Sequence, residues 1–237
     1  MNGNAEWLEI VSRTLDHTEA PGLLVIDENT TIDQLGGIPC PSDWTILTNR
    51  QDLAQSLTRR GVTTRCSDYV FEQAVPSPAQ SVVYRISKEK AVVHHIINQS
   101  GKVLAPGGRL ILIGHKREGL LTYGKNAARY LGADPQLQRG NKGYAALTLA
   151  RGDHLAAPLP DSDYPRLRRC IEIDGISLAS KPGIYGWQKI DQGSLALLEG
   201  LDLLIAKDPP NQTPAPDLLD LGCGYGLLSV LAQRRLG

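Results

Sequence analysis

The sequence is poor in several features that mark particular classes of protein. Its 237 residues include 25 basic and 25 acidic side chains, so no global field draws the chain onto nucleic acid. The first residues lack the basic start and apolar core of a secretory signal, and no apolar run is long enough to cross a membrane. These absences predict a cytoplasmic protein with no membrane partner.

Cysteine is also scarce, and its four positions are far apart, with no CxxC pair among them: Cys40, Cys66, Cys170 and Cys223. Disulfide frameworks and zinc sites need cysteines at closer and more regular spacing. We therefore expect reduced thiols and no metal site.

Short apolar runs alternate with helical segments from residue 23 to residue 149. The predicted strands are Leu23–Asp27, Trp44–Thr48, Val62–Cys66, Ser81–Ile86, Arg109–Gly114 and Tyr144–Leu149. Helices are predicted from Asn49 to about Arg60, from Lys88 to about Gly101 and from Thr122 to Leu131. Strands that alternate with helices indicate an α/β fold of the Rossmann-like kind, with a doubly wound, mostly parallel sheet and an antiparallel pair at its far end.

The later sequence changes character. Residues 151–165 are rich in proline, aspartate and glycine, which is typical of a linker between domains. Asp174-Gly175 then separates two alternating apolar runs, a pattern that predicts a β-hairpin. Asp191 can cap a helix over residues 192–204. We predict a first domain over 1–150, a linker over 151–165 and the start of a second domain, incomplete, over 166–237.

The most specific motif of the sequence follows this helix. Leu218 and Leu219 predict a strand, three glycines follow Asp220, and a helix begins at Leu227. Such glycines permit a tight turn, a close approach of the backbone to a ligand, and close packing of helix on strand. No Lys-Ser/Thr pair follows, which argues against a phosphate-binding P-loop. An ordinary glycine-rich turn is the alternative. The order DxGxGxG resembles motif I of class I S-adenosylmethionine (SAM) methyltransferases.

A second phrase, Leu104–Leu112, lies in the first domain and also resembles class I methyltransferases. Its Pro106-Gly107-Gly108 turn resembles the one that class I methyltransferases carry before a late strand. The turn after the first strand, Asp27–Thr30, contains no glycine. We therefore predict a degenerate class I methyltransferase-like first domain that has lost its cofactor site.

Longer phrases narrow the resemblance to the ribosomal RNA guanine-N2 methyltransferases, both the methyltransferase C type of the small ribosomal subunit and its relative of the G type, which acts on the large one. The similar phrases are Lys181–Trp187, Ile190–Ser194 and Asp220–Gly226, and, in the first half, Tyr84–Lys90, Arg109–Lys116 and Lys142–Tyr144. The resemblance implies two fused methyltransferase-like domains. The first binds no SAM and supports folding or RNA binding, while the second transfers a methyl group to the exocyclic N2 of guanine.

The resemblance also assigns a cofactor site. SAM is the expected cofactor, and its cradle is formed by Asp220, Gly222, Cys223, Gly224 and Gly226. Stacking near the cofactor or the target base is one interpretation of Tyr185 and Trp187, and a packed aromatic turn is the alternative. The acidic residue that holds the ribose lies about 20 residues beyond such a loop. The family's Asn-Pro-Pro-aromatic motif comes later still. The catalytic residues are therefore expected past Gly237, and the chain is expected to be an N-terminal portion, inactive by itself.

One earlier phrase imitates that missing motif. Leu201–Pro210 resembles the Asp-Pro-Pro strand of amino-methyltransferases, but Asn211 stands where the aromatic residue belongs. A helix that ends at a proline stop is the better interpretation.

A locally basic stretch predicts contact with RNA phosphates, and a solvated surface is its alternative. The candidate residues are Lys116, Arg117, Lys125, Arg129, Arg139 and Lys142, with Arg168 and Arg169 after the linker. The implied partner is ribosomal RNA or a ribosomal subunit, and the oligomeric state stays open. Two other functions also stay open: a non-enzymatic RNA- or protein-binding module, and a SAM methyltransferase of small molecules.

Overall fold

The computed structural model describes residues 6–38, 41–75, 78–207 and 218–236. The chain divides into two compact units, Met1–Asp161 and Ser162–Gly237. Each unit has its own hydrophobic core.

A seven-stranded sheet forms the centre of the first unit. Its strands lie in the order β3-β2-β1-β4-β5-β7-β6, and β7 is antiparallel to both of its neighbours. The strands are β1 (Gly22–Ile26), β2 (Trp44–Thr48), β3 (Thr64–Cys66), β4 (Ala79–Arg85), β5 (Leu104–His115), β6 (Gln136–Arg139) and β7 (Tyr144–Ala150). The predicted mostly parallel sheet with an antiparallel pair at its far end is confirmed.

Helices cover both faces of this sheet. They are α1 (Glu6–Leu15), α2 (Gln51–Arg59), α3 (Lys90–Val103) and α4 (Leu120–Leu131). Helices α1 and α2 share one core with residues of the central strands, such as Leu24, Ile46 and Ile111, and α3 and α4 pack against β5. A doubly wound sheet buries its central strands on both sides, and all five residues of β1 are buried.

The sequence pattern located most of these elements to within a few residues. Helix α3 begins at Lys90, two residues later than expected, because the Ser87 hydroxyl accepts a hydrogen bond from the Glu89 backbone N–H (3.0 Å) before the helix starts. Helix α1 was not predicted, although Trp7, Ile10, Val11 and Leu15 follow helical spacing and are buried.

The predicted linker over 151–165 is bonded to the first unit at residues 159–161. The Asn98 side chain donates to the Leu159 carbonyl (2.9 Å) and accepts from the Leu159 N–H (2.8 Å). His94 and His95 of the same helix contact Pro160 and Asp161 through their Nδ1 atoms. These bonds fasten residues 159–161 to α3, so the boundary between the units falls after Asp161.

The second unit contains the predicted hairpin, β8 (Arg168–Ile173) and β9 (Ile176–Ser180), and two helices, α5 (Gln192–Lys207) and α6 (Leu227–Leu236). Asp174 and Gly175 both have positive φ (50° and 72°), as a two-residue hairpin turn requires. The Asp191 carboxylate accepts hydrogen bonds from the backbone N–H and hydroxyl of Ser194. The capped helix is thus confirmed.

One expectation for this unit is wrong. Leu218 and Leu219 do not form a strand, and both side chains are exposed, as is that of Leu221. A strand is stabilised by hydrogen bonds to a neighbour, and the described residues of this unit supply only the hairpin pair β8-β9. The Asp208–Asn211 phrase and Asp217 lie outside the described residues.

Candidate functional site

The glycine loop before α6 has the backbone conformation that its sequence demands. Gly222, Gly224 and Gly226 all have positive φ, at 82°, 56° and 84°. Other residues adopt this left-handed region only at a cost of roughly 1–2 kcal/mol. A hydrogen bond from the Gly226 N–H to the Cys223 carbonyl (2.8 Å) closes the turn, and the Cys223 side chain is exposed.

Asp220 fixes this loop to the helix that follows it. One carboxylate oxygen, Oδ2, accepts from the Ser229 backbone N–H (3.1 Å) and from the Ser229 hydroxyl (2.7 Å). A carboxylate at a helix N-terminus satisfies a free N–H and complements the helix dipole. Sequence reasoning missed Ser229, although serine in a first helical turn after an acidic loop is a recognisable capping signal.

The turn that contains Tyr185 lies beside the glycine loop. The Tyr225 hydroxyl donates to the Lys189 carbonyl (3.3 Å), and a Cβ atom placed on Gly224 lies 3.9 Å from the Tyr185 carbonyl oxygen. The Tyr185 side chain is 85% exposed. The structure therefore brings together Tyr185 and the loop residues that the sequence assigned to one site.

In the first unit, the edge of the sheet at the carboxyl end of β1 is filled by the protein's own side chains. Asp27, at the end of β1, accepts from the Asn29 N–H and side-chain amide (3.0 Å each) and from the Tyr84 hydroxyl (3.1 Å). The Tyr84 oxygen in turn accepts from the Ser87 N–H (2.9 Å). Ser87 also donates to the carboxylate of Glu28.

This cluster changes the acidity of its members. Burial raises the pKa of Asp27 to about 7, the Glu28 carboxylate contributes to that rise, and the hydrogen bonds from Asn29 and Tyr84 oppose it. Burial, together with Asp27, also raises the pKa of Tyr84. A carboxyl group that holds its proton near neutral pH can be buried without a cation, and here it takes the place where parallel sheets of this type bind ligands.

Beside it, Arg85 and Glu118 form an ion pair (2.8 Å) with little solvent exposure. Arg85 also donates to the Ile86 carbonyl (2.7 Å), and Glu118 accepts from the His115 N–H (2.7 Å). The carboxyl ends of β4 and β5 are thus tied to each other by side chains.

The predicted basic residues fall on several elements. Lys116 and Arg117 begin a short 3-10 helix after β5, Lys125 and Arg129 lie one turn apart on α4, and Arg139 ends β6. Lys116 and Arg139 line one pocket. Lys142, in the turn between β6 and β7, forms an ion pair with Glu6.

The other two predicted cations belong to the second unit. The Arg168 guanidinium lies 4.8 Å from the centre of the Trp187 ring and donates to the Ser162 and Asp163 carbonyls. Those contacts join the start of the hairpin to the segments before and after it, which is a structural role for Arg168. Arg169, its neighbour on β8, is exposed.

The described residues contain neither a metal centre nor a membrane span. Within residues 6–38, 41–75, 78–207 and 218–236, no group of three or more His, Cys, Asp and Glu side chains is placed to hold a metal ion. No helix in the same ranges has the length and apolar character needed to cross a membrane.

Comparisons with known proteins agree with this geometry. Residues 175–237 match the family model of the methyltransferase small domain. The ribosomal RNA small subunit methyltransferase C of Pseudomonas entomophila is 29% identical over 204 residues, which cover 85% of this chain and 55% of that protein. Its counterpart from Pseudomonas putida is 26% identical over 227 residues, 96% of this chain and 62% of that protein.

A solved structure shares the fold across nearly the whole chain. The T. thermophilus 16S rRNA N2 methyltransferase, in complex with AdoMet and guanosine, superposes with a TM-score of 0.73 at 22% identity over 99% of this chain and 61% of its own. The chain thus spans little more than half the length of these relatives. The class I methyltransferase-like fold and the resemblance drawn from the motifs are both confirmed.

Proposed function

We propose that this relative of the ribosomal RNA small subunit methyltransferase C proteins is the N-terminal portion of a SAM-dependent enzyme that methylates the exocyclic N2 of guanine in ribosomal RNA. The observation that carries the proposal is the loop from Asp220 to Gly226. Its three glycines share the left-handed conformation, and its acidic residue anchors the following helix. Ribosomal RNA or a ribosomal subunit is the proposed partner, and the cytoplasm the proposed location.

The loop fits one side of a SAM molecule. A Cβ atom on Gly222 or Gly226 meets nothing within 4 Å, so backbone conformation alone requires glycine there and the space in front of the loop stays open. In the proposed site Gly222, Cys223, Gly224 and Gly226 present backbone to the cofactor, Asp220 orders the loop, and Tyr185 offers an exposed aromatic face. SAM, when bound, supplies an electrophilic methyl group on its sulfonium.

Residues of this chain act in that reaction by binding and orientation. Methyl transfer to an amine depends chiefly on the alignment of the nitrogen lone pair with the methyl carbon. The groups that hold the ribose and the target amine are expected beyond Gly237, from the resemblance. On this basis residues 166–237 begin the catalytic domain, and 220–226 form about half of its cofactor cradle.

The first unit has another part in this proposal. Asp27, Tyr84 and Ser87 occupy the edge at which such a sheet takes a ligand, and all three are buried. A SAM molecule there displaces a closed hydrogen-bond network, so we propose that this unit binds no cofactor. It supports the folding of the enzyme or holds RNA through its basic residues.

The gene offers the first test. Its disruption in the source organism is expected to remove one N2-methylguanosine from ribosomal RNA, measured by mass spectrometry of digested RNA. Re-expression with Gly224→Ala should restore less than a tenth of the modification, because a side chain at φ 56° distorts the loop beside the cofactor. Gly175→Ala is the matched control, since its φ is 72° and a Cβ atom there meets nothing within 4 Å. Unchanged N2-methylguanosine after disruption contradicts the proposal and leaves a non-enzymatic RNA-binding module or a methyltransferase of small molecules.

The purified 237-residue chain should transfer no methyl group by itself. Incubated with radiolabelled SAM and ribosomal RNA, it is expected to leave the RNA unlabelled, because half of the cofactor cradle and the amine-holding motif are expected outside it. The T. thermophilus enzyme serves as the positive control. Labelled RNA from this chain alone refutes the assignment of residues 166–237 as an incomplete domain.

A further inference from the structure

A pocket of about 380 Å³ opens in the first unit between the start of α4 and the β6–β7 turn. Leu121, Leu137 and Tyr144 supply apolar walls, and Lys116 and Arg139 stand among the residues that line it. It shares no residue with the filled edge around Asp27. Its volume lies at the small end of the range for ligand pockets.

The local backbone builds this pocket. Side chains alternate along β6, so Leu137 and Arg139 face the pocket while Gln136 and Gln138 line a different cavity. A Cβ atom on Gly140 falls 2.6 Å from Ile10 Cδ1, and one on Gly143 falls 2.6 Å from His115 Nε2. Glycine at both positions lets the turn pack tightly and leaves this side of the pocket without side chains.

The aromatic wall is held in place. The Tyr144 ring meets the His115 ring edge to face, with centroids 5.3 Å apart, and the Arg85 guanidinium carbon lies 5.6 Å from its centre. Arg85 is itself paired with Glu118. The ring therefore presents a fixed apolar surface.

Two leucines here are unusually exposed for residues of a packed domain. Leu121 is 54% exposed and Leu137 is 45% exposed. Next to them, Lys116 and Arg139 form no ion pair with a carboxylate in the part of the chain that the structure describes. Among the same residues no acidic side chain lines the pocket, and the nearby carboxylates of Glu118 and Glu6 are paired with Arg85 and Lys142. The local charge is thus positive around an apolar hollow.

An apolar hollow rimmed by cations matches the chemistry of a nucleotide. An unstacked base covers apolar side chains, and its flanking phosphates bind lysine and arginine. We propose that this pocket takes one unpaired nucleotide of RNA, with the base against Leu121, Leu137 and Tyr144 and the phosphates on Lys116 and Arg139. This inference deepens the proposed function and rests on its RNA partner. It assigns the first unit a binding site for single-stranded RNA.

The test uses the full chain and a fluorescein-labelled 12-nucleotide oligouridine, with a 12-base-pair RNA duplex as comparison. The double variant Lys116→Gln/Arg139→Gln is expected to lower affinity for the single strand at least tenfold and to reduce the slope of log affinity against log salt by about 1.4, since two phosphate contacts are lost. Lys102→Gln/Arg59→Gln removes two exposed cations elsewhere on the same unit and should change affinity less than twofold.

Substitutions in the apolar walls test the base contact separately from the charge contacts. Leu121→Ala/Leu137→Ala should lower single-strand affinity about five- to tenfold without changing the salt slope, whereas Gln138→Ala, on the opposite face of β6, should not. Because these side chains are exposed, circular dichroism should show unaltered folding. Equal loss with the control cations, unchanged affinity of the leucine variant, or duplex binding as tight as single-strand binding overturns the proposal, as does binding of an acidic peptide in preference to RNA. The two proposals can fail separately. If gene disruption leaves N2-methylguanosine unchanged but the pocket variants still lose RNA affinity, the proposed reaction is wrong and the pocket stands. If N2-methylguanosine disappears but the variants keep their affinity, the pocket is wrong and the reaction stands.

Discussion

Raising the pH from 4 to 8 should destabilise the first unit through Asp27. An unfolded chain releases this proton near its ordinary pKa of 3.8, while the folded protein, in which burial dominates, holds it until about pH 7. Between these values the folded state binds more protons than the unfolded state, so stability falls as pH rises. The stability that the Asp27 proton contributes is fully present below pH 3.8, the pKa in the unfolded chain, and is lost as the pH rises through about 7, the pKa in the folded protein. Three pKa units correspond to roughly 4 kcal/mol.

The difference between wild type and Asp27→Asn isolates this effect. Asparagine can still accept from Asn29 and contact Tyr84, yet it carries no proton to lose. Urea unfolding from pH 4.5 to 8.5 should therefore show a variant that gains stability relative to wild type as pH rises. His94, whose pKa is lowered chiefly by burial, favours the folded state at higher pH in both proteins and cancels in the difference. A difference that stays constant across this range refutes the role given to Asp27.

Gly108→Ala should be one of the most damaging single-methyl additions among the described glycines, at about 3 kcal/mol. The new Cβ atom falls 2.9 Å from the Ala105 carbonyl oxygen, with the Ala79 and Gln80 carbonyls at 3.1 and 3.2 Å. These are backbone atoms of β4 and β5, which cannot rotate away as a flexible side chain does. Overpacking of this kind costs typically 1–3 kcal/mol, and occasionally more. Chemical unfolding measured by tryptophan fluorescence gives the value.

The neighbouring glycine provides the control. Gly107 has φ 80° and nothing within 4 Å of its would-be Cβ, so Gly107→Ala meets only the left-handed strain of roughly 1–2 kcal/mol. Equal effects of the two substitutions contradict the steric explanation. The two substitutions also explain why two glycines stand together here. Gly107 is needed for its positive φ, and Gly108 is needed because no side chain fits beside the neighbouring carbonyl oxygens.

Where the physical signal is local, the sequence predicted the structure well. Period-two and helical apolar patterns located the sheet and most helices, and Asp174-Gly175 located the hairpin. The glycine-rich sequence predicted a tight turn before α6, where Gly222, Gly224 and Gly226 all have positive φ. The resemblance supplied what no local pattern contains, namely the proposed cofactor and the proposed reaction.

The features that escaped prediction depend on distant partners. Tyr84 reaches Asp27 across 57 positions, and Asn98 reaches Leu159 across 61. The linker-like composition of residues 151–165 gives no sign that Leu159 is bonded to Asn98. The strand predicted at Leu218 and Leu219 failed for a related reason. The local sequence favours a strand, but a strand also needs a neighbour to pair with, and the local sequence does not supply one. The assignment of basic residues to RNA was not decided by sequence, because charge alone does not show which of them a neighbouring carboxylate already occupies, as Glu6 does for Lys142.

The two outer strands of the large sheet have a consequence for how this protein behaves at high concentration. β3 has three residues and β6 has four, and most of their side chains are exposed. An unpaired strand edge is a template for aggregation, and short edges that carry charged side chains resist it. Arg65 and Arg139 lie on these two strands. Both edges of the sheet therefore disfavour pairing with strands from other copies, which should limit aggregation when the protein is concentrated.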